Sequence, residues 1–310
     1  MKKLSFVIPC YFSVNTLPSV VDEIKTTMSQ EPLYDFEIIL VNDCSPDSTW
    51  ETICKLVSEN KNILGINLSK NFGQHAATMA GYRHVQGDII VTLDDDGQTP
   101  ADEVMNLVHK LEEGYDVVYA SYHRNMESTF RRFGSRINSI MAEYMIGKPR
   151  NIAIQSYNVA KRYIIDEVVK YDGAYPYIFG LVFRTTKKIA NVEVRHRSRE
   201  VGQSGYTFSK LLGLWMNGFT AFSVKPLRIA TLIGTISAFL GFMLGIFFIA
   251  QKIVDPSVPI GYSSIITSIT FFSGLIMLTM GLLGEYIGRI YISLNKSPQY
   301  VIKDTLRSEN

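Results

Sequence analysis

Short apolar segments alternate with segments of helical periodicity along the first 121 residues. The apolar segments are four to six residues long, as buried strands are, and comprise Leu4–Ile8, Phe36–Val41, Ile63–Leu68, Ile89–Leu93 and Val117–Ala120. Between them, apolar residues recur at helical spacing in Leu17–Ser29, Ser48–Glu59, Gln74–His84 and Ala101–Glu112. This alternation predicts an α/β fold with a parallel sheet and helices on both faces.

Polar residues follow four of these strands at the point where each strand ends. The four segments are Pro9–Tyr11, Asn42–Ser45, Ser69–Gly73 and Asp94–Gln98. Because ligands of open α/β sheets bind beyond the carboxyl ends of the strands, these segments are expected to converge on one crevice. Neither G-x-G-x-x-G nor a P-loop motif follows any strand, which argues against a dinucleotide dehydrogenase and a P-loop NTPase.

The last of these segments carries three consecutive carboxylates, Asp94, Asp95 and Asp96. Like charges this close raise one another's pKa or recruit a cation. Hard oxygen ligands suit Mg2+ or Mn2+, which in turn bind the phosphates of a nucleotide. The alternative interpretation of the same residues is a solvated acidic turn.

Two long apolar segments in the last third of the chain predict transmembrane helices. Ile229–Ala250 contains 22 residues and Ile265–Leu283 contains 19, all uncharged, close to the roughly 20 needed to cross a bilayer. A buried hairpin of a soluble protein is the alternative. Basic residues flank the two segments on the outer sides, and they are Lys225, Arg228, Arg289, Lys296, Lys303 and Arg307. The positive-inside rule therefore predicts a multi-pass protein of the cytoplasmic (inner) membrane, with both termini in the cytoplasm.

These features divide the chain into three parts. Residues 1–225 are predicted to form a cytoplasmic catalytic domain, residues 226–288 a two-helix anchor, and residues 289–310 a cytoplasmic tail that is loose after Lys303. Within the first part, residues 129–147 and 206–222 combine aromatic and apolar residues at helical spacing with basic residues nearby. They are expected to lie as amphipathic helices in the headgroup layer, with core packing as the alternative.

Charge and cysteine content restrict the partners only slightly. The net charge of +2 gives no sign of a nucleic-acid partner, and a homo-oligomer stays possible. Met1-Lys2-Lys3 leads directly into the first strand, unlike a secretory signal. Cys10, Cys44 and Cys54 lack metal-type spacing and are expected to be reduced packing residues.

Six segments, in this order, resemble landmarks of one enzyme family. The segments are Val7–Tyr11, Val41–Ser45, Leu68–Gly73, Leu93–Gln98, Arg199–Tyr206 and Met280–Arg289. They are similar to those of family 2 glycosyltransferases of GT-A (Rossmann-like) fold. More specifically, they resemble those of the polyprenyl-phosphate glycosyltransferases related to dolichyl-phosphate mannose synthase and to bacterial undecaprenyl-phosphate sugar transferases. It covers nearly the whole chain.

The resemblance implies roles for individual residues. The pocket for the nucleobase and ribose of a nucleotide sugar is implied at Pro9, Tyr11 and Asp43. Asp94 and Asp96 correspond to the catalytic D-x-D pair, with Asp96 and Gln98 as the direct ligands of Mg2+ or Mn2+ and Asp94 facing the nucleotide sugar. Asp95 is counted with the donor-binding residues, although the middle residue of such a turn usually points away.

The same resemblance implies two basic regions. Arg199, as a catalytic residue, and Ser204 and Tyr206 correspond to a loop that closes over the donor phosphates. Arg131, Arg132 and Arg136 correspond to a juxtamembrane stretch that meets the phosphate of the lipid acceptor, or else faces anionic headgroups.

The implied reaction is an inverting hexosyl transfer from a nucleotide sugar, by default a UDP-sugar, to undecaprenyl phosphate for glycan or lipopolysaccharide modification. Two segments depart from the family pattern. Phe12-Ser13 stands where Asn-Glu is usual, and Gln155–Asn158 lacks the usual aspartate, so that Ser156 or Asn158 is left to supply hydrogen bonds. A catalytically weakened membrane scaffold of the same fold is therefore the alternative hypothesis.

Overall fold

The computed structural model describes residues 1–122, 143, 148–195, 225–255, 261–295 and 297–308. The chain forms two compact units, one made of Met1–Lys210 with Lys296–Asn310 and the other of Leu211–Asn295. The predicted amphipathic segments, 129–147 and 206–222, lie outside the described residues except for Glu143.

The first unit alternates strands and helices, as predicted. Its strands are β1 Lys2–Cys10, β2 Tyr34–Asn42, β3 Ile63–Leu68, β4 Ile89–Thr92, β5 Val117–Tyr122, β6 Asn158–Lys161, β7 Ile189–Val194 and β8 Ile302–Arg307. Its helices are α1 Leu17–Ser29, α2 Thr49–Glu59, α3 Gln74–Tyr82, α4 Val104–Glu112, α5 Arg162–Val168 and α6 Ile178–Thr185, with a 3-10 turn at Ala101–Glu103. The α/β fold predicted from the sequence is confirmed.

The described strands form one eight-stranded sheet of order β7-β5-β6-β4-β1-β2-β3-β8. β1 pairs in parallel with β2 and β4, β2 with β3, and β5 with β7. β6 runs antiparallel to both of its neighbours, β4 and β5, and so separates two strands that are consecutive in the sequence. The parallel pairing is therefore interrupted by β6 between β4 and β5, and an antiparallel strand, β8, is added at the β3 edge.

The centre of the sheet is buried on both faces, which explains its continuous apolar runs. All residues of β3 and β4 are buried, as are those of β1 from Leu4 onward. α3 approaches β1 closely, since a Cβ at Gly81 would lie 2.4 Å from Val7 Cγ1. α3 is thereby held against the strands whose carboxyl ends carry the predicted site.

The C-terminal segment is not a loose tail, and that prediction is wrong. Ile302–Arg307 forms β8, which pairs antiparallel with β3, with Leu306 opposite Gly65 and Asp304 opposite Asn67. The free edge of β3 supplies backbone partners for this strand, whose own residues are mostly exposed. The chain that follows the apolar helices therefore ends in the same sheet in which the protein begins.

The second unit contains two long apolar helices, α7 Lys225–Val254 and α8 Tyr262–Leu294. Each is long and apolar enough to cross a membrane, over Ala230–Phe247 and Phe271–Ile292. Only 6% of the first window and none of the second is buried. Large apolar side chains such as those of Phe242 (65%) and Met277 (74%) are exposed. This exposure argues against the alternative of a hairpin buried in a soluble core.

Candidate active site

The polar segments that follow β1, β2, β3 and β4 lie at one edge of the sheet. Because β1, β2 and β3 are parallel, Cys10 lies opposite Asn42, which lies opposite Asn67. Hydrogen bonds connect the segments, for example from the Tyr11 N–H to Asp95 Oδ2 (2.9 Å). The four segments that the sequence placed in one crevice therefore do lie together.

Asp94 is held between two neutral donors that are distant in sequence. Gln74 Nε2, in the first turn of α3, donates to Asp94 Oδ1 at 2.9 Å. The Ser156 hydroxyl donates to the other carboxylate oxygen, Oδ2. Ser156 reaches Asp94 because β6 runs antiparallel to β4 with Asn158 opposite Thr92. Asp94 lies two residues after Thr92 and Ser156 two residues before Asn158, so both extend beyond the same end of the strand pair. The orientation of the Asp94 carboxylate is thus fixed on both sides.

Asp95 turns inward rather than away from the neighbouring loop. Its Oδ2 accepts the Tyr11 N–H and the hydroxyl of the buried Ser13. Burial raises the pKa of Asp95 to about 6, together with the negative charge of Asp94, while the two hydrogen bonds act in the opposite direction. The observed contacts of Asp95 hold the segment after β1 in place.

Asp96 and Gln98 flank Gly97, whose φ of +73° belongs to the left-handed region. Asp96 Oδ1 accepts the Gln98 N–H at 3.1 Å, so the two predicted metal ligands share one tight turn. Both are half-buried. Within the described ranges, no group of three or more His, Cys, Asp or Glu residues is arranged to hold a metal ion.

Tyr122 lies near the acidic corner formed by Asp94, Asp95 and Asp96, and it was not identified from the sequence. It is the last residue of β5 and is half-buried. Burial raises its pKa to about 12, and the carboxylates of Asp94 and Asp96 add to the rise. The sequence feature that could have identified Tyr122 is its position two residues beyond the predicted end of this strand, Ala120.

Asp43 lies at the carboxyl end of β2 and is 4% exposed. Its two carboxylate oxygens accept the N–H groups of Phe72 (2.7 Å) and Gly73 (2.8 Å). Burial raises the pKa of Asp43, although these two hydrogen bonds lower it. Asp43 therefore fixes the loop that leads into α3, and its predicted contact with a nucleobase or ribose stays a prediction.

The other predicted pocket residues of β1 differ in exposure. Pro9 is buried in β1 opposite Val41, whereas the side chain of Tyr11 is 45% exposed. Phe12 is 62% exposed, packs edge-on against Tyr11 at 4.7 Å between ring centroids, and has φ +59°. An exposed aromatic pair thus lies beside the acidic corner.

His75 follows Gln74 in the first turn of α3 and packs among aromatic side chains. Its ring packs edge-on against Tyr177 and Phe179, at 5.3 and 5.4 Å between centroids. Burial lowers the pKa of His75 to about 4, so the ring is neutral at physiological pH.

The remaining predicted site residues, which belong to the two basic regions, lie outside the described residues: Arg131, Arg132, Arg136, Arg199, Ser204 and Tyr206.

Two protein-family models match this chain, one over the sheet unit and one over the two apolar helices. A family model described as glycosyl transferase family 2 matches residues 5–169, more than half of the chain. The chain belongs to glycosyl transferase family 2. A second model, the GtrB C-terminal hairpin, matches residues 225–290. The predicted family is therefore confirmed, and the protein is a glycosyltransferase.

Curated relatives match over the full length of this glycosyltransferase. The undecaprenyl-phosphate 4-deoxy-4-formamido-L-arabinose transferase of Yersinia pestis (strain Pestoides F) is 34% identical over 313 residues, covering 100% of this chain and 95% of the relative. The enzyme of the same name from Yersinia pseudotuberculosis serotype O:3 (strain YPIII) gives the same values.

Solved structures share the fold at low sequence identity. Glucosyl-3-phosphoglycerate synthase from Mycobacterium tuberculosis, in complex with Mn2+, UDP-glucose and phosphoglyceric acid, has a TM-score of 0.53 at 19% identity, covering 75% of this chain and 79% of that one. Mannosyl-3-phosphoglycerate synthase from Rubrobacter xylanophilus has a TM-score of 0.51 at 17% identity, with 73% and 74% covered. These likenesses confirm the GT-A fold.

A test of the Asp94 clamp is the replacement of Ser156 by alanine. The variant removes one hydroxyl donor to Asp94, and we expect kcat/KM for sugar transfer to fall about ten- to a hundredfold, the cost of one hydrogen bond to a charged group. Ser58→Ala, which removes an exposed hydroxyl on α2, is the matched control. Equal rates for the two variants would contradict a role for Ser156 in holding Asp94.

Proposed function

We propose that this glycosyltransferase transfers a sugar, with inversion at the anomeric carbon, from a UDP-sugar to undecaprenyl phosphate at the cytoplasmic face of the membrane. The product serves glycan or lipopolysaccharide modification. The observation that carries the proposal is the likeness, over the whole chain, to transferases named for undecaprenyl phosphate and a modified arabinose. The described strand-end site and the two apolar helices agree with it.

The donor site is proposed at the edge formed by Tyr11, Asp43 and the 94–98 turn. This turn provides hard oxygen ligands, namely the carboxylates of Asp94, Asp95 and Asp96 and the amide oxygen of Gln98. Mg2+ in such sites is usually bound by one or two carboxylates together with substrate phosphates. The donor set therefore fits Mg2+ or Mn2+ held by Asp96 and Gln98, and the lack of a three-residue cluster in the described ranges is compatible with it.

The chain's own residues would prepare the donor for displacement. Asp94, clamped by Gln74 and Ser156, presents a fixed carboxylate toward the donor sugar, while Asp95 holds the loop of Tyr11. A phosphate oxygen of the lipid attacks the anomeric carbon, and the bond to the nucleoside diphosphate breaks. The lipid phosphate is already ionised near neutral pH, so this step needs no strong general base. A bound divalent metal would neutralise charge on the departing diphosphate.

Arg199, with Ser204 and Tyr206, is proposed to close over the same diphosphate, because a guanidinium binds phosphate oxygens through paired hydrogen bonds. Arg131, Arg132 and Arg136 are proposed to meet the phosphate of the lipid. These roles rest on the sequence motifs alone.

The decisive experiment supplies purified protein with undecaprenyl phosphate and a panel of nucleotide sugars, with and without Mn2+ or Mg2+. The panel includes UDP-glucose, UDP-linked amino and deoxy sugars, and UDP-4-deoxy-4-formamido-L-arabinose. We expect one UDP-sugar to yield a glycolipid by mass spectrometry, only with metal. Metal-dependent donor binding with no product from any donor would instead favour a membrane scaffold of the same fold.

The path of the chain supports a pair of membrane crossings with the sheet on one side. β7 precedes and β8 follows the two apolar helices in the sequence, and both strands belong to one sheet. A chain that crosses a bilayer and then rejoins the same sheet must cross an even number of times. Two crossings with both termini in the cytoplasm satisfy this requirement and the distribution of basic residues.

Cysteine labelling tests this topology. In a Cys44→Ser background, Asp255→Cys places a cysteine directly after α7, and Glu59→Cys places one at the end of α2 in the sheet unit. A membrane-impermeant maleimide applied to intact spheroplasts should label the cysteine at 255 and leave that at 59 unlabelled until the cells are permeabilised. Labelling of position 59 in intact cells would overturn the proposed orientation.

A further inference from the structure

A row of hydrogen-bonded side chains crosses the sheet from its C-terminal strand to the candidate site. Asn67 Nδ2 donates to Asp304 Oδ2 at 2.9 Å, and Asn42 Nδ2 donates to Asn67 Oδ1 at 2.9 Å. The Ser45 N–H then donates to Asn42 Oδ1 at 3.2 Å. Asp304, Asn67 and Asn42 are direct cross-strand partners on β8, β3 and β2, so they line one face of the sheet.

The chemistry at the two ends gives this row a single direction. The Asp304 carboxylate can only accept hydrogen bonds, so Asn67 must present its NH2 group to it. The Asn67 oxygen is then left for the NH2 group of Asn42, and the Asn42 oxygen for the Ser45 N–H, which can only donate. Asp304 at one end and the Ser45 N–H at the other therefore set the same orientation of both amides.

The row ends on a residue that organises two site loops. Ser45 Oγ accepts the N–H of Phe12 at 2.8 Å and donates to Asp47 Oδ1 at 2.6 Å. Phe12 is in the left-handed region, a conformation that a bulky side chain adopts only when its surroundings hold it. The loop after β2 and the exposed aromatic pair after β1 thus depend on the same hydroxyl.

A backbone contact joins β8 to the third loop of the site. The Ser69 N–H donates to the carbonyl oxygen of Val301, the residue before β8, at 2.9 Å. Ser69 begins the segment whose Phe72 and Gly73 N–H groups bind Asp43. The residue that leads into β8 therefore contacts the start of the loop that binds Asp43.

The middle of the row is buried although Asp304 itself is exposed, so the bond between Asn42 and Asn67 has no ready substitute in water. Asn42 is 2% exposed and Asn67 is 7% exposed. If Asp304 loses its carboxylate, the NH2 group of Asn67 loses its acceptor, and an amide in this position gains from rotating toward another partner. Rotation of the Asn67 amide would bring its NH2 group against the NH2 group of Asn42. When Asn42 then rotates to offer its oxygen to Asn67, the Ser45 N–H loses its acceptor.

We propose that Asp304 is a positioning residue for donor binding, acting through Asn67 and Asn42 on the loops that carry Ser45 and Phe12. This inference rests on the proposed function, because it takes those loops as the nucleotide side of the site. It assigns a role in the proposed donor site to β8, which follows the two apolar helices in the sequence. The donor site is then complete only when β8 has joined the sheet.

The test compares Asp304→Ala, Asp304→Asn and a control, Thr305→Ala, on the full-length protein. Thr305 is exposed on the same strand, one residue along and so on the opposite face. Asp304→Ala should raise the KM for the active UDP-sugar about five- to tenfold, with kcat and the KM for undecaprenyl phosphate within twofold. Asp304→Asn should restore the donor KM, because an amide oxygen can still accept from Asn67.

Amide hydrogen exchange provides a readout that does not depend on turnover. The Phe12 and Ser45 N–H groups should exchange faster in Asp304→Ala than in Thr305→Ala, whereas amides in β1 and β2 should be unchanged. If Asp304→Ala matches Thr305→Ala in donor KM and in exchange, the proposal is wrong. If the unmodified protein makes no glycolipid with any donor, the proposed function fails, and the exchange measurement still decides whether Asp304 orders these loops.

Discussion

Replacing Asp96 by asparagine should lower kcat/KM for glycolipid formation by about a hundredfold or more, while the protein stays folded. Asp96 lies in the Gly97 turn with Gln98, and its carboxylate is the charged member of the proposed metal-binding pair. An amide keeps the shape and the hydrogen bond from the Gln98 N–H but removes the negative charge. Loss of charge stabilisation at a departing group typically costs 10²–10³ in rate. The measurement is radiolabelled sugar transfer to undecaprenyl phosphate at saturating Mn2+.

Asp35→Asn is the matched control for Asp96→Asn. Asp35 is exposed near the start of β2, at the end of the strand that lies away from the candidate site, and its carboxylate accepts the N–H of Phe36. We expect this variant to retain activity within twofold. Activity of Asp96→Asn within a factor of three of the control would refute the placement of the metal at the 94–98 turn.

Replacing Asp43 by alanine should have the largest effect on stability among the site residues. The substitution leaves the N–H groups of Phe72 and Gly73 without the carboxylate that binds both. Two hydrogen bonds to a charged group contribute about 3–6 kcal/mol together, and the desolvation of the buried carboxylate offsets part of this, so we expect a net loss of roughly 3 kcal/mol. For a unit of this size that corresponds to a fall in melting temperature of about 6–12 °C. Thermal unfolding in detergent, followed by intrinsic fluorescence, measures it.

Asp172→Ala is the control for Asp43→Ala. It removes an exposed carboxylate, so it shows how much of the effect comes merely from losing an acidic side chain. Asp172 is 86% exposed at its side chain and pairs with Arg83 on the surface, where ion pairs contribute little. Its melting temperature should stay within about 2 °C of the unmodified protein. The donor KM should rise for Asp43→Ala alone. A melting temperature for Asp43→Ala equal to that of Asp172→Ala would show that Asp43 does not hold the loop before α3.

The sequence by itself determined the parts of the fold that follow from local pattern. β1 to β5 and the helices between them lie within a few residues of their predicted bounds, because buried parallel strands have continuous apolar runs and their helices have apolar faces. The convergence of the four strand ends also followed, since parallel strands joined by crossover helices must end at the same edge. The family motifs added the residue types that such an edge needs for a nucleotide sugar.

The tertiary structure alone decided which distant segments complete that edge. β6 enters between β4 and β5 in the antiparallel sense and brings Ser156 to Asp94, and β8 returns after the apolar helices and brings Asp304 to Asn67. Both strands are short, and the bonds that place them join residues about 60 and 240 positions apart in the sequence. Local periodicity carries no information about such partners, because an unpaired sheet edge accepts a strand through backbone groups that every residue possesses.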